Sequence, residues 1–226
     1  MKAKSLFVTG TDTGVGKTLV SAALTRALVA RGLRVAVMKP VASGSDLTPD
    51  GPRNSDALAL MAATNVPAPY DVVNPYCFLP PISPHIAARE AHVTIDLALL
   101  RSRFQSLAAA SDCVIVEGAG GWLAPISDTA TMADLAAALS LPVLLVVGLR
   151  LGCLNHALLT RESLAARGAA FAGWVANGID PKLDRPAENL ATLTARLDEP
   201  PLARIPFLDH SLDTADLREA AAKLCA

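Results

Sequence analysis

Near the start of the chain, Gly10-Thr11-Asp12-Thr13-Gly14-Val15-Gly16-Lys17-Thr18 puts three glycines ahead of a lysine and a threonine. Glycines let backbone N–H groups close in on an anion, and a helix starting at the Lys-Thr end adds its positive N-terminal dipole. In such a cradle Lys17 reaches β- and γ-phosphates and the Thr18 hydroxyl ligates Mg²⁺. The common spacing GxxxxGK[ST] puts its first glycine at position 11, which is Thr11; Gly10 lies one residue earlier, so this loop is a longer variant. Glu117 ends the apolar run CVIV and precedes Gly118-Ala119-Gly120-Gly121. A carboxylate there either holds a divalent cation or its waters, or pairs with a neighbouring cation. Lys39, after the run RVAVM, either neutralises a transferring phosphoryl group or is an ordinary surface lysine. Asp56, within Asn54-Ser55-Asp56, either joins these charges or is a helix N-cap or first-turn acid.

The elements that must position these groups alternate along the chain. Short apolar runs at residues 5–9, 34–38, 113–116, 143–147 and 171–176 read as strands, with a sixth near 203–205. Between them, helical patterns fall at 18–30, 95–109, 132–139, 154–167 and 187–197, with a further candidate at 212–224. Strands apolar on both faces, alternating with helices, imply a doubly wound, mainly parallel sheet flanked by helices on both faces. Ligands of such sheets bind beyond the carboxyl ends of the strands, where Gly10–Lys17, Lys39 and Glu117 all fall.

Length and composition narrow the class. The 226 residues favour one domain spanning 1–226 over two. Hydrophobic residues make up 52% but aromatics only 4%, so Ala, Leu and Val must build the core. Twenty Lys and Arg against 21 Asp and Glu leave no basic footprint for nucleic acid or anionic lipid. The mean hydropathy of +0.38 raises the question of a membrane. The longest apolar stretch, 139–149, is about half a span's length and contains Pro142 and Gly148, so it reads as a buried strand. Two lysines and four apolar residues before the first glycine make no secretory signal, and a cytoplasmic location is expected. The four cysteines are widely spaced, as reduced thiols would be.

The sequence resembles the dethiobiotin synthetase family. The matching segments are FVTGTDTGVGKT, KPVASGS, RNSDALAL, NPYCF with PISPHIAA, VEGAGGW, LGCLNHALLT and GWVANGID, which cover most of the chain in order. The family carries the longer loop variant. The resemblance implies a P-loop NTPase-like α/β homodimer, a ligase that closes a ring on 7,8-diaminononanoate with CO₂ (or bicarbonate) and MgATP. Carried over by motif, Lys39 and Lys17 are its catalytic cations, and Thr18, Asp56 and Glu117 hold Mg²⁺. Thr13, Gly14, Val15, Gly16, Lys17 and Thr18 wrap the phosphates, with Gly118, Ala119 and Gly120 beside them. Asn177, just after the fifth strand, reads the adenine edge with Gly178, while Pro206, Phe207 and Leu208 flank the base. Thr11 and Ser43 face the diamine and carbamate. Gly152, Cys153 and Asn155, at a helix start, receive the substrate carboxylate at the dimer interface. The family's tyrosine near position 189 has no counterpart, since no tyrosine follows Tyr76. His85 and His156 read as structural, and Cys153, with no adjacent base, as a packing residue.

Two other readings are weaker. A ligase activating a different carboxylate, as in cobyrinate amidation, usually carries a glutaminase domain, for which this length leaves no room. A partitioning or septum-positioning ATPase normally has a KGGxGKT loop, whereas no lysine lies between Lys4 and Lys17.

Overall fold

The computed structural model describes residues 5–207 and the pair 218–219; Leu208 and most of the helix expected over 212–224 lie outside the described residues. In chain order the elements are β1 (Leu6–Gly10), α1 (Lys17–Ala30), β2 (Val35–Met38), β3 (Val41–Ala42), β4 (Asp46–Thr48), β5 (Gly51–Arg53), α2 (Ser55–Met61), α3 (Tyr70–Val73) and β6 (Tyr76–Cys77). There follow α4 (Pro84–Glu90), α5 (Leu97–Ala109), β7 (Cys113–Glu117), α6 (Met132–Ala138), β8 (Val143–Leu149), α7 (Cys153–Ala166), β9 (Phe171–Gly178), α8 (Pro186–Arg196) and β10 (Ala203–Ile205). Six strands form one sheet in the order β10-β9-β8-β1-β7-β2, and every pairing in it is parallel. β1 lies between β7 and β8, Phe7 pairing with Val116 on one side and Val143 on the other.

Alternate residues of each strand feed opposite cores. Phe7, Met38, Val114 and Val116 pack with Leu100, Leu107 and Leu135 of α5 and α6. Leu6, Val8, Ile115, Leu144 and Val146 pack against Val20, Leu24 and Leu28. Those three recur every four residues along α1 and form one stripe, each side chain worth about 1.5–3 kcal/mol relative to exposure. The far side of α1 is also covered, because Ala22 meets Val37, Leu60 and Val73. On β8 and β9, Leu145, Val147, Trp174 and Ala176 are covered by α7 and α8 residues such as Ala157 and Leu193. The sheet is therefore doubly wound, with helices on both faces, and no described helix is long and apolar enough to cross a membrane.

Among the described residues, the six expected strands and the helices expected at 18–30, 95–109, 132–139, 154–167 and 187–197 are present to within one or two residues. One boundary bears on the site. β9 runs to Gly178 because Asn177 pairs on both sides, with Gly148 of β8 and Ile205 of β10. Asn177 thus sits inside the strand rather than just after it. Between β2 and α5 lie elements that no apolar periodicity announces. Two-residue strands β3 and β6 pair Val41 with Tyr76, and β4 and β5 form a small antiparallel hairpin.

Candidate active site

The carboxyl ends of β1, β2 and β7 open into a cavity of about 820 Å³. One wall is the glycine-rich loop. Gly16, immediately before α1, has φ 87°, a left-handed conformation that glycine adopts without steric cost. A Cβ there would lie 2.1 Å from Asn177 Nδ2, so the position also has no room for a side chain. Asn177 Nδ2 donates to Val15 O at 2.9 Å, bracing the loop from β9, two strands away. The Asp12 carboxylate accepts from Thr13 N–H at 2.7 Å and from Arg150 Nη2 at 2.5 Å. Lys17 folds back to donate from Nζ to Asp12 O at 3.0 Å. Burial, and after it the charge of Lys39, lowers the Lys17 ammonium from 10.5 to about 8.

The opposite wall is a compact charge cluster. Lys39 Nζ donates to Glu117 Oε1 at 2.6 Å, Asp56 Oδ2 at 3.0 Å and Gly118 O at 3.3 Å, while Thr18 Oγ1 donates to the same Glu117 oxygen at 2.8 Å. Lys39 is only 3% exposed, so it is not a surface lysine. Glu117 does pair with a cation, and that cation is Lys39. Asp56 is not the cap of α2. That role falls to Asn54, whose Oδ1 accepts from Ala57 N–H at 3.2 Å, and Asp56 is a first-turn acid that reaches Lys39. Burial alone would lower the Lys39 ammonium, but the Glu117 and Asp56 carboxylates together outweigh it and hold the group above its ordinary value. Burial likewise pushes the Asp56 carboxyl up, and Lys39 outweighs it, leaving Asp56 below the usual carboxylate range.

Three buried side-chain oxygens without a hydrogen-bond partner belong to residues expected at the site: Ser43 Oγ, Glu117 Oε2 and Asn177 Oδ1. Unmatched buried acceptors cost stability unless a ligand or water satisfies them, which is a mark of a binding site.

Of the residues expected from sequence, Thr13, Gly14, Gly16, Lys17, Thr18, Lys39, Ser43, Asp56, Ala119 and Gly120 line this cavity. Val15 is buried beneath the loop, and Thr11 donates its N–H to Val146 O without lining the cavity. Gly178, Pro206 and Phe207 line a separate cavity of about 520 Å³ between β9, β10 and α8. Gly152, Cys153 and Asn155 line neither cavity; they begin α7, where Cys153 is buried and Asn155 exposed. His85 Nδ1 is hydrogen-bonded to Ser83 Oγ at 2.9 Å. Residues given no role from sequence also line the larger cavity, notably Asp12, Asn54 and the turn Pro81, Ile82, Ser83 and Pro84. The PISPH segment carried a signal for that turn, but nothing local says which way it folds.

A family model described as an AAA domain, AAA_26, matches residues 4–214. The ATP-dependent dethiobiotin synthetase BioD of Xanthomonas oryzae pv. oryzae is 50% identical over 207 residues, covering 92% of each chain. BioD 1 of Escherichia coli O157:H7 is 48% identical over 212 residues, covering 94% of each. Among solved structures, the cell division protein MinD of Aquifex aeolicus superposes with a TM-score of 0.58 at 16% identity, covering 97% of this chain and 87% of that one. That likeness places the sheet and its loop in the P-loop NTPase fold. At about half identity over nearly their whole lengths, the bacterial relatives are far closer, and the chain belongs to the ATP-dependent dethiobiotin synthetase family.

Proposed function

We propose that the chain, working as one P-loop domain over 1–226 and as a cytoplasmic homodimer, is a C–N bond-forming ligase that closes the ureido ring of dethiobiotin. One amine of 7,8-diaminononanoate captures CO₂ as a carbamate. A carbamate oxygen then attacks the γ-phosphorus of ATP, releasing ADP and forming a carbamic-phosphoric anhydride. The second amine attacks the carbonyl carbon, phosphate leaves, and the ring is closed. A carbamate is a poor electrophile because its oxygens carry the charge; phosphorylation turns one of them into a leaving group.

The protein must hold several anions together, which calls for cations rather than a nucleophilic side chain. The observation that carries this reading is the Lys39 ammonium, buried between Asp56 and Glu117 and facing the cavity that the Lys17 loop also lines. Lys39 would meet the carbamate and the transferring phosphoryl group, Lys17 the γ-phosphate, and Thr11 and Ser43 the diamine and carbamate. Asn177 Oδ1, a buried acceptor without a partner, suits the amino group of adenine, with Gly178, Pro206, Phe207 and Leu208 around the base.

Two carboxylates and a hydroxyl form a hard-oxygen donor set that fits Mg²⁺, and the buried Glu117 Oε2 needs a partner. Thr18, Asp56 and Glu117 would hold the ion, which when bound withdraws negative charge from the phosphate oxygens. Gly152, Cys153 and Asn155, at the start of α7, would receive the substrate carboxylate at the dimer interface. Purified protein supplied with MgATP, bicarbonate and the diamine should release phosphate only when all three are present. Phosphate release indifferent to the diamine would overturn the proposal.

A further inference from the structure

The segment NPYCF and the short helix α3 before it lie outside the cavity, and neither Tyr70 nor Asn74 lines it. Their polar atoms nevertheless close a circuit through the site. Asn74, 2% exposed, donates from Nδ2 to the backbone carbonyl of Lys39 at 2.6 Å. Asn74 Oδ1 accepts from the Tyr70 hydroxyl at 2.9 Å, and that hydroxyl oxygen accepts from Asn54 N–H at 2.7 Å. Asn54 caps α2, whose first turn carries Asp56, and Asp56 Oδ2 accepts from Lys39 Nζ at 3.0 Å. The path from the Lys39 backbone through Asn74, Tyr70, Asn54 and Asp56 thus returns to the Lys39 ammonium. Lys39 N–H also donates to Val73 O at 2.8 Å, so Val73, the last residue of α3, and Asn74 after it together grip both backbone polar groups of Lys39.

We propose that Tyr70 and Asn74 are positioning residues that fix the distance between Lys39 and Asp56 and so keep the ammonium aligned for phosphoryl transfer. The proposal rests on the roles given above to Lys39 and Asp56. A closed network of this kind resists small displacements because no member can move without stretching another bond. Displacements of about 1 Å in such a group can cost on the order of 100-fold in rate. Opposite Lys39, the Tyr70 hydroxyl joins the two halves of the circuit, one through Asn74 and one through Asn54. Burial, aided by Cys77, raises its pKa to about 12, so it remains a donor throughout any practical assay range.

Tyr70→Phe removes the hydroxyl and keeps the ring beneath the Arg53 guanidinium, 4.2 Å from its centroid. The variant should melt as a cooperative fold and lose about tenfold in kcat for diamine-dependent phosphate release, with KM for ATP changed by less than about twofold. In an Asp56→Asn background the same substitution should cost less than about twofold, since the residue it positions is already disabled. An equal penalty in both backgrounds would overturn the positioning role while leaving Asp56 in the site. If Asp56→Asn alone leaves kcat and the Mg²⁺ dependence untouched, the reading of the site falls and takes the positioning role with it. Asn74→Asp keeps the acceptor for Tyr70 but replaces the donor to the Lys39 carbonyl; it should reproduce the kcat loss, and full kcat in a folded Asn74→Asp protein would equally overturn the proposal.

Discussion

In the free protein the buried Lys17 ammonium titrates at about 8 rather than 10.5, so about nine-tenths of molecules carry its charge at pH 7 and about one-tenth at pH 9. Phosphate oxygens arriving at the loop favour the charged form and restore the proton. Nucleotide affinity should therefore fall about tenfold between pH 7 and pH 9, or about 1.4 kcal/mol, and binding at pH 8 should take up about half a proton. A lysine left at its ordinary value would change affinity by only a few per cent over that span. Isothermal titration of a nonhydrolysable ATP analogue with Mg²⁺, in buffers of different ionisation enthalpy at pH 7, 8 and 9, measures both quantities. Lys17→Arg, charged throughout, should flatten the dependence. A dissociation constant steady within twofold from pH 7 to 9, with no proton uptake at pH 8, would refute the reasoning. The same shift has a consequence for stability whose sign is opposite to that of a salt-bridged lysine. Between pH 8 and 10.5 the unfolded chain binds more protons than the folded one, so the free protein should gain up to about 3 kcal/mol as pH rises through that window.

Lys39→Gln should depress ring closure far more than nucleotide binding, and equal losses in both would contradict its role in charge development. The same substitution strands the fully buried Glu117 carboxylate and should destabilise the fold by about 3–5 kcal/mol; adding Glu117→Gln should recover part of the melting temperature and none of the activity. Asp56→Asn should raise the Mg²⁺ concentration needed for half-maximal rate, and an unchanged requirement would reduce Asp56 to a first-turn acid of α2. Gly148→Ala would drive a Cβ to 2.6 Å from Ile179 Cδ1 and 2.9 Å from the Val15 side chain beneath the loop. It should cost about 1–3 kcal/mol in stability and weaken nucleotide binding, with melting curves and titration as the checks.

What could be seen in the sequence was what local chemistry encodes. Val20, Leu24 and Leu28 announce α1 by spacing, Gly16 and Lys17 announce the loop, and Glu117 stands out as a carboxylate ending an apolar run. The state of Lys39 could not be seen. A lysine after a strand looks the same whether exposed or 3% exposed, and its burial depends on Asp56 and Glu117, 17 and 78 positions away. Asn177 was misplaced by a residue or two because its strand is prolonged by partners on both sides, not by its own apolarity. β3 and β6 are too short to show alternation and exist only through their pairing at Val41 and Tyr76.

The strand order also fixes when in the life of the chain the loop can take shape. β1 is near the N-terminus, yet its partners are residues 113–117 and 143–149. Parallel neighbours so distant in sequence are slow to find one another, because a large loop must close before any pairing repays it. During synthesis β1 therefore waits with its apolar residues unmatched until residues 113–117, and then 143–149, have been made. The strand that carries the loop is thus seated long after it is made, which leaves its apolar residues in need of protection from aggregation until then.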